Sequence, residues 1–156
     1  NKINEMIPAE WEQVYTMAYI NEESEEVFFN YTTPGSNDLH YYTAIPEDYS
    51  VSEKIFDELL DELYESFEKL RDLFKEENQE PWTSCEFDFT NEGKLNVSFG
   101  YIDWKKSEFG HLVRVFYHQY KKSGILLEKE YAINKVKKVE QFIKEQEKEQ
   151  NEVEGD

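Results

Sequence analysis

Cys85 has no second cysteine to pair with, so no internal disulfide and no cysteine-based metal site is available, a usage that suits a reducing compartment. Long apolar runs are missing too. No segment approaches the roughly 18 uninterrupted apolar residues of a transmembrane helix, and no basic stretch leads into an apolar one as in a secretory leader. Bases are scarce: 17 Lys and Arg face 35 Asp and Glu, a formal net charge of −18. Such a field repels nucleic acid and anionic membrane, whose protein affinity rests on Lys and Arg, so direct binding to either is not expected. The nucleotide-cradling patterns G-x-x-x-x-G-K-[ST] and G-x-G-x-x-G do not occur, nor does H-E-x-x-H. The chain is therefore read as an intracellular, cytoplasmic protein with no cofactor.

Two things are abundant. Phe, Trp and Tyr make up 16% of the 156 residues, enough to build one core although the apolar share is only 38%. The acids are also unevenly placed: residues 1–78 hold 20 acids and 5 bases, residues 79–156 hold 15 and 12. The excess charge thus has a location.

The patterning predicts α+β architecture. Strands are expected over Glu12–Ile20 and Glu26–Thr32, joined by a turn at Asn21–Ser24, with a third over Leu39–Ala44 after Pro34-Gly35; together they form an antiparallel meander. Ser50 to Asn78 reads as one long helix, opened by a capping box of Ser50 and Glu53. Its apolar stripe of Ile55, Phe56, Leu59, Leu60, Leu63, Tyr64, Phe67, Leu70, Leu73 and Phe74 is assigned to the core. The opposite face carries a ladder of carboxylates. Residues 85–89 and 95–101 alternate around Asn91-Glu92-Gly93 as a hairpin with Gly93 left-handed, completing one sheet. Two C-terminal helices follow, one capped by Ser107 and ended by Gly124, the other starting near Tyr131. A single domain over 1–146 is expected, and 147–156 reads as a polar tail, either a fraying helix or disordered.

Chemistry is hard to place. His111 and His118 are two turns apart on one helix, roughly 10 Å, too far to share a metal ion. Cys85 sits in an alternating strand and reads as a core residue beside Phe87 and Phe89. With 35 acids, carboxylate pairs arise by chance, so no catalytic or metal residues are assigned and the chain is read as a non-enzyme. What is left is a surface for a basic protein. Its candidate residues are Glu22, Glu23, Glu25 and Glu26 at the hairpin tip, Asp57, Glu58, Asp61, Glu62 and Glu65 on the helix ladder, and Asp103 with Trp104 as an aromatic anchor. The competing reading of the ladder is a solvated helix face, and of Trp104 a buried structural ring.

Long strings of the sequence are familiar: PAEWEQVYTMAYI from Pro8, EVFFNYTTPGSNDLHYYTAIP from Glu26, EPWTSCEFDFT from Glu80 and LNVSFGYIDWKKSEFG from Leu95. They resemble the YezG/EsaG-like immunity proteins, cytosolic antitoxins of nuclease toxins that the type VII secretion system exports. Members of that family usually begin with a further helical stretch, so the natural N-terminus is expected to lie upstream. The resemblance implies a stoichiometric complex that inhibits the basic nuclease domain of a cognate toxin; separately, the free chain is expected to be a monomer. The resemblance transfers no catalytic residue. The alternative is a secretion chaperone or adaptor that keeps a basic client soluble without inhibiting it.

Overall fold

The computed structural model describes residues 2–124 and 130–154. The chain divides into two units, Asn1–Tyr101 and Ile102–Asp156.

The first unit is built on a five-stranded antiparallel sheet of order β3-β2-β1-β4-β5. Its strands are β1 (Gln13–Ile20), β2 (Glu25–Tyr31), β3 (His40–Tyr41), β4 (Ser84–Thr90) and β5 (Leu95–Gly100). Three helices belong to it: α1 (Lys2–Met6), α2 (Ile45–Asp48) and α3 (Glu53–Glu76). β1 lies in the middle, pairing β2 through Thr16↔Phe29 and β4 through Thr16↔Phe87. Because side chains alternate along a strand, this register gathers Val14, Ala18, Val27, Phe29, Tyr31, Cys85 and Phe89 on one face. All seven are buried, in one cluster with Phe56, Leu63 and Phe67 of α3. Each of those three α3 side chains stabilises the fold by roughly 1.5–3 kcal/mol of apolar burial.

The adjacent aromatics face opposite ways. Phe28 and Phe29 are both fully buried, Phe29 on the α3 face and Phe28 on the other, near Tyr19 and Tyr41 (centroids 6.2 and 6.5 Å away). Tyr42 instead reaches Phe29 at 5.4 Å and Phe56 at 6.4 Å. The third strand is accordingly shorter than the expected Leu39–Ala44. Only His40 and Tyr41 pair with β2, and Tyr42–Ala44 turns into a 3-10 helix that leads to Pro46 at the start of α2. Tyr42 stays on the Phe29 face that the β2–β3 register assigns it, while the turn redirects the backbone toward α2.

Ser50 does not cap α3. It takes φ 53°, and the Val51 N–H donates to the Pro46 carbonyl, so Ser50 is the left-handed residue that closes α2. The N-cap of α3 is Ser52, without a side-chain cap bond. Asn78 closes α3 in the same manner, with φ 57° and a Gln79 N–H to Phe74 carbonyl bond of 2.7 Å. The apolar stripe of α3 is wider than the face it buries. Ile55 and Leu73, five turns apart on one edge of that stripe, are 54% and 52% exposed, so the expectation that both are core is corrected. In the β4–β5 hairpin Gly93 has φ 88°, as the alternation requires.

The second unit contains α4 (His111–Ser123) and α5 (Glu130–Glu154). Ser107 does not cap α4, whose N-cap is Gly110; its hydroxyl accepts the Phe109 N–H and donates to the Trp104 carbonyl, holding a turn ahead of the helix. Gly124 ends α4 with φ 71°. From α5, Phe142 meets the rings of Trp104 and Phe109 at 5.3 and 5.5 Å, while Val136 and Val139 are buried. Of the two readings of the polar stretch from 147, a helix or a disordered tail, α5 continues as helix to Glu154; residues 155–156 lie outside the described residues. Spaced polar pairs such as Gln141 Nε2 to Glu145 at 3.0 Å support such a helix.

Candidate functional site

α3 places its acids opposite its core stripe. Between Lys54 and Lys69 it carries six acids and no base: Asp57, Glu58, Asp61, Glu62, Glu65 and Glu68. The first five are exposed. Glu62 is answered by Lys2 of α1, with Nζ 2.8 Å from the carboxylate. Asp57, Glu58, Asp61 and Glu65 form no ion pair or side-chain hydrogen bond among the described residues, so their charge is presented to solvent.

The hairpin tip behaves differently. Asn21 shapes the turn, its Oδ1 accepting the backbone N–H groups of Glu23 and Ser24. Glu22 then reaches α3, where it meets Arg71 Nη1 at 3.3 Å and Lys75 Nζ at 3.2 Å. Hydrogen bonds first from Lys75 and then from Arg71 hold its carboxyl below the ordinary carboxylate range. Arg71 is itself buried at 7% exposure, and its Nε donates to the Trp82 carbonyl at 2.8 Å. Glu22 is thus the outer end of a bridge through Arg71 to the chain entering β4.

Glu25 and Glu26 leave the turn on opposite faces of β2. Glu26 is half-buried, paired across the ladder with Tyr19. Glu25 lies against Glu68 of α3; the hydrogen bond between the two carboxyls, helped by desolvation and repulsion, pushes its pKa up to about 7. In the second unit, Asp103 is exposed beside Lys106, 3.7 Å away. Trp104 is half-buried, its ring set against Phe142. Of the eleven candidate residues, the structure therefore brings Glu22 and Glu25 to the C-terminal half of α3 and leaves four unpaired acids between Asp57 and Glu65.

Arg71 is the functional side chain that the sequence reading overlooked. Its position carried a signal, because it follows Phe67 by four residues and Leu63 by eight, on the stripe that enters the core. A base at such a position must find buried acceptors. No helix among the described residues is long and apolar enough to cross a membrane.

The described residues set an acidic helix face on a sheet-and-helix frame, a surface suited to binding a basic partner. Comparison with known families agrees: residues 1–137 match the family described as "Immunity protein YezG-like", and the chain belongs to it. It is 65% identical over 145 residues to the type VII secretion system protein EsaG of Staphylococcus aureus (strain NCTC 8325 / PS 47), an alignment covering 93% of this chain and 89% of that protein. It is 42% identical over 126 residues to the immunity protein YezG of Bacillus spizizenii, covering 81% and 78%, and 36% identical over 129 residues to YezG of Bacillus subtilis (strain 168), covering 83% and 85%. An immunity role, and with it a toxin as partner, follows from that membership.

Proposed function

We propose that the chain is a cytoplasmic antitoxin that inhibits a DNA-cleaving nuclease toxin of the type VII secretion system by forming a stoichiometric complex with it, without catalysis of its own. The observation that carries this reading is the run of unpaired carboxylates at Asp57, Glu58, Asp61 and Glu65. A nuclease must present positive charge to a polyanion, and a rigid rod of fixed negative charge competes for that surface. Successive carboxylates on neighbouring turns of α3 lie roughly 5–6 Å apart, on the scale of phosphate spacing along a nucleic acid strand. Charge at such an interface acts chiefly on encounter rate and on the rejection of wrong partners. Glu23, Glu26, Asp103 and Trp104 complete the proposed contact set, while Glu22, Glu25 and Glu62 act in part through their contacts within the first unit.

The test mixes the full chain with the nuclease domain of the toxin encoded beside it and follows plasmid cleavage. Cleavage should fall to background at a molar ratio near one to one. Tight binding with undiminished cleavage would instead assign the chaperone role, and absence of binding would reject the pairing altogether. Reversing charge at Asp57, Asp61 and Glu65 together, each to Lys, should weaken the complex by about 100-fold at low salt and flatten its salt dependence. A wild-type complex indifferent to salt would remove electrostatics as the driving term.

A further inference from the structure

The sheet ends at β5, and among the described residues no strand lies beyond it. The hairpin fixes which backbone groups face outward. The Thr90 N–H donates to the Lys94 carbonyl at 2.9 Å, so the alternation of an antiparallel ladder turns the amides of Asn96 and Ser98 toward β4 and those of Leu95, Val97 and Phe99 away from it. Three N–H groups and three carbonyls thus point along the open edge.

Natural sheets blunt such an edge with Lys, Pro, a bulge or a cover. Among the described residues β5 carries no Lys, no Pro and no bulge of its own. Its sequence, LNVSFG, carries no charge and no proline in a chain that is 33% charged, and its register with β4 runs unbroken from Leu95 to Gly100. Its side chains on the α3 face are accessible too, with Leu95 59% and Phe99 37% exposed.

We infer that β5 accepts an extended segment of the bound toxin as a sixth, edge-added strand. This rests on the toxin-binding reading above and specifies how part of the complex is held. Charge selects the occupant. At the hairpin end exposed Glu92 and Lys94 offset each other, while at the other end the Phe74 ring, 4.9 Å from Phe99, leads into exposed Glu76, Glu77 and Glu80. A neutral edge with acids gathered at its Phe99 end fits a segment with apolar residues at alternate positions and Lys or Arg at the end that meets Glu76, Glu77 and Glu80. A second copy of this chain fits poorly, since pairing two β5 edges would bring together two bodies each of charge −18.

Amide hydrogen exchange on the wild-type chain, alone and with the toxin's nuclease domain, is the test. In the complex the amides of Leu95, Val97 and Phe99 should exchange at least about tenfold more slowly, whereas those of Asn96 and Ser98, already bonded to β4, should change less. A complex that forms with all three outward amides unaltered overturns the added strand and leaves the antitoxin reading standing; failure to form any complex overturns both. Protection of the same amides in the chain alone, rising with its concentration, would give the edge to self-association and overturn the inference. Val97→Pro removes only an outward N–H, and should weaken the complex at least about 30-fold while Val97→Thr stays near wild type. A folded Val97→Pro chain that binds normally refutes the strand, and if that variant does not fold the wild-type exchange pattern decides.

Discussion

The two edges of the sheet are opposites. On the β2 side the edge is closed from within the chain: β3 pairs for two residues, Tyr42 of the following 3-10 turn lies over Phe29, and the outward Val27 N–H donates to the Tyr64 hydroxyl of α3 at 3.2 Å. Glu22 and Glu25 extend the closure to the hairpin tip through Arg71, Lys75 and Glu68. On the β5 side the backbone is left open and uncharged. Both edges belong to one sheet and one core, so general stability does not explain the difference. It is explained if one side exists to be packed within the chain and the other to meet something outside it.

The closed edge can be broken in graded steps. The largest effect is expected for Arg71→Ala, which strips the Trp82 carbonyl of a buried donor and removes the packing of the guanidinium stem, costing about 2–3 kcal/mol in chemical denaturation. A loss under about 0.5 kcal/mol would mean that the bridge is incidental. Tyr64→Phe comes next, at about 1 kcal/mol, because it deletes only the acceptor of the Val27 N–H; that single amide should exchange faster while its neighbours stay protected.

The smallest effect is a pH dependence. Glu25 titrates in the fold at about 7, above its ordinary carboxylate value, so the fold favours the protonated form. Its contribution to stability is therefore complete below the ordinary carboxylate range and is lost as pH rises through about 7. Thermal stability should rise slightly as pH is lowered from 8 to 5.5, by less than about 1 kcal/mol given solvent screening, and Glu25→Gln should flatten that slope. A stability that falls over the same interval in the wild type, with no change in the variant, would contradict the assignment.

Much of this frame is legible in the sequence, and the gaps have physical reasons. Local periodicity locates β1, β2, α3 and the β4–β5 hairpin, because each is a continuous pattern with a single period. β3 is overestimated because aromatic content at Leu39–Ala44 reads as strand, while pairing ends at Tyr41 and the chain turns toward Pro46 of α2. Ser50 misleads because the same residue type that caps a helix start also tolerates the left-handed position closing the helix before it. The exposure of Asp57, Glu58, Asp61 and Glu65 follows directly from their spacing against the core stripe. The engagement of Glu22 does not, since its partner Arg71 lies 49 positions away and pairing at that distance leaves no local trace. The open edge of β5 is invisible for the same reason, because an edge is a property of strand order.

Cys85 sits fully buried next to the central strand, and burial, with Glu86 adding to it, pushes its thiol up to about 12. A sulfhydryl so placed is silent toward peroxide and alkylating agents while the molecule stays shut, because only a thiolate that meets water reacts at speed. The chain thereby carries a built-in clock: the rate at which its one thiol takes up label reports how often the sheet opens, and a toxin bound across that sheet should slow the clock.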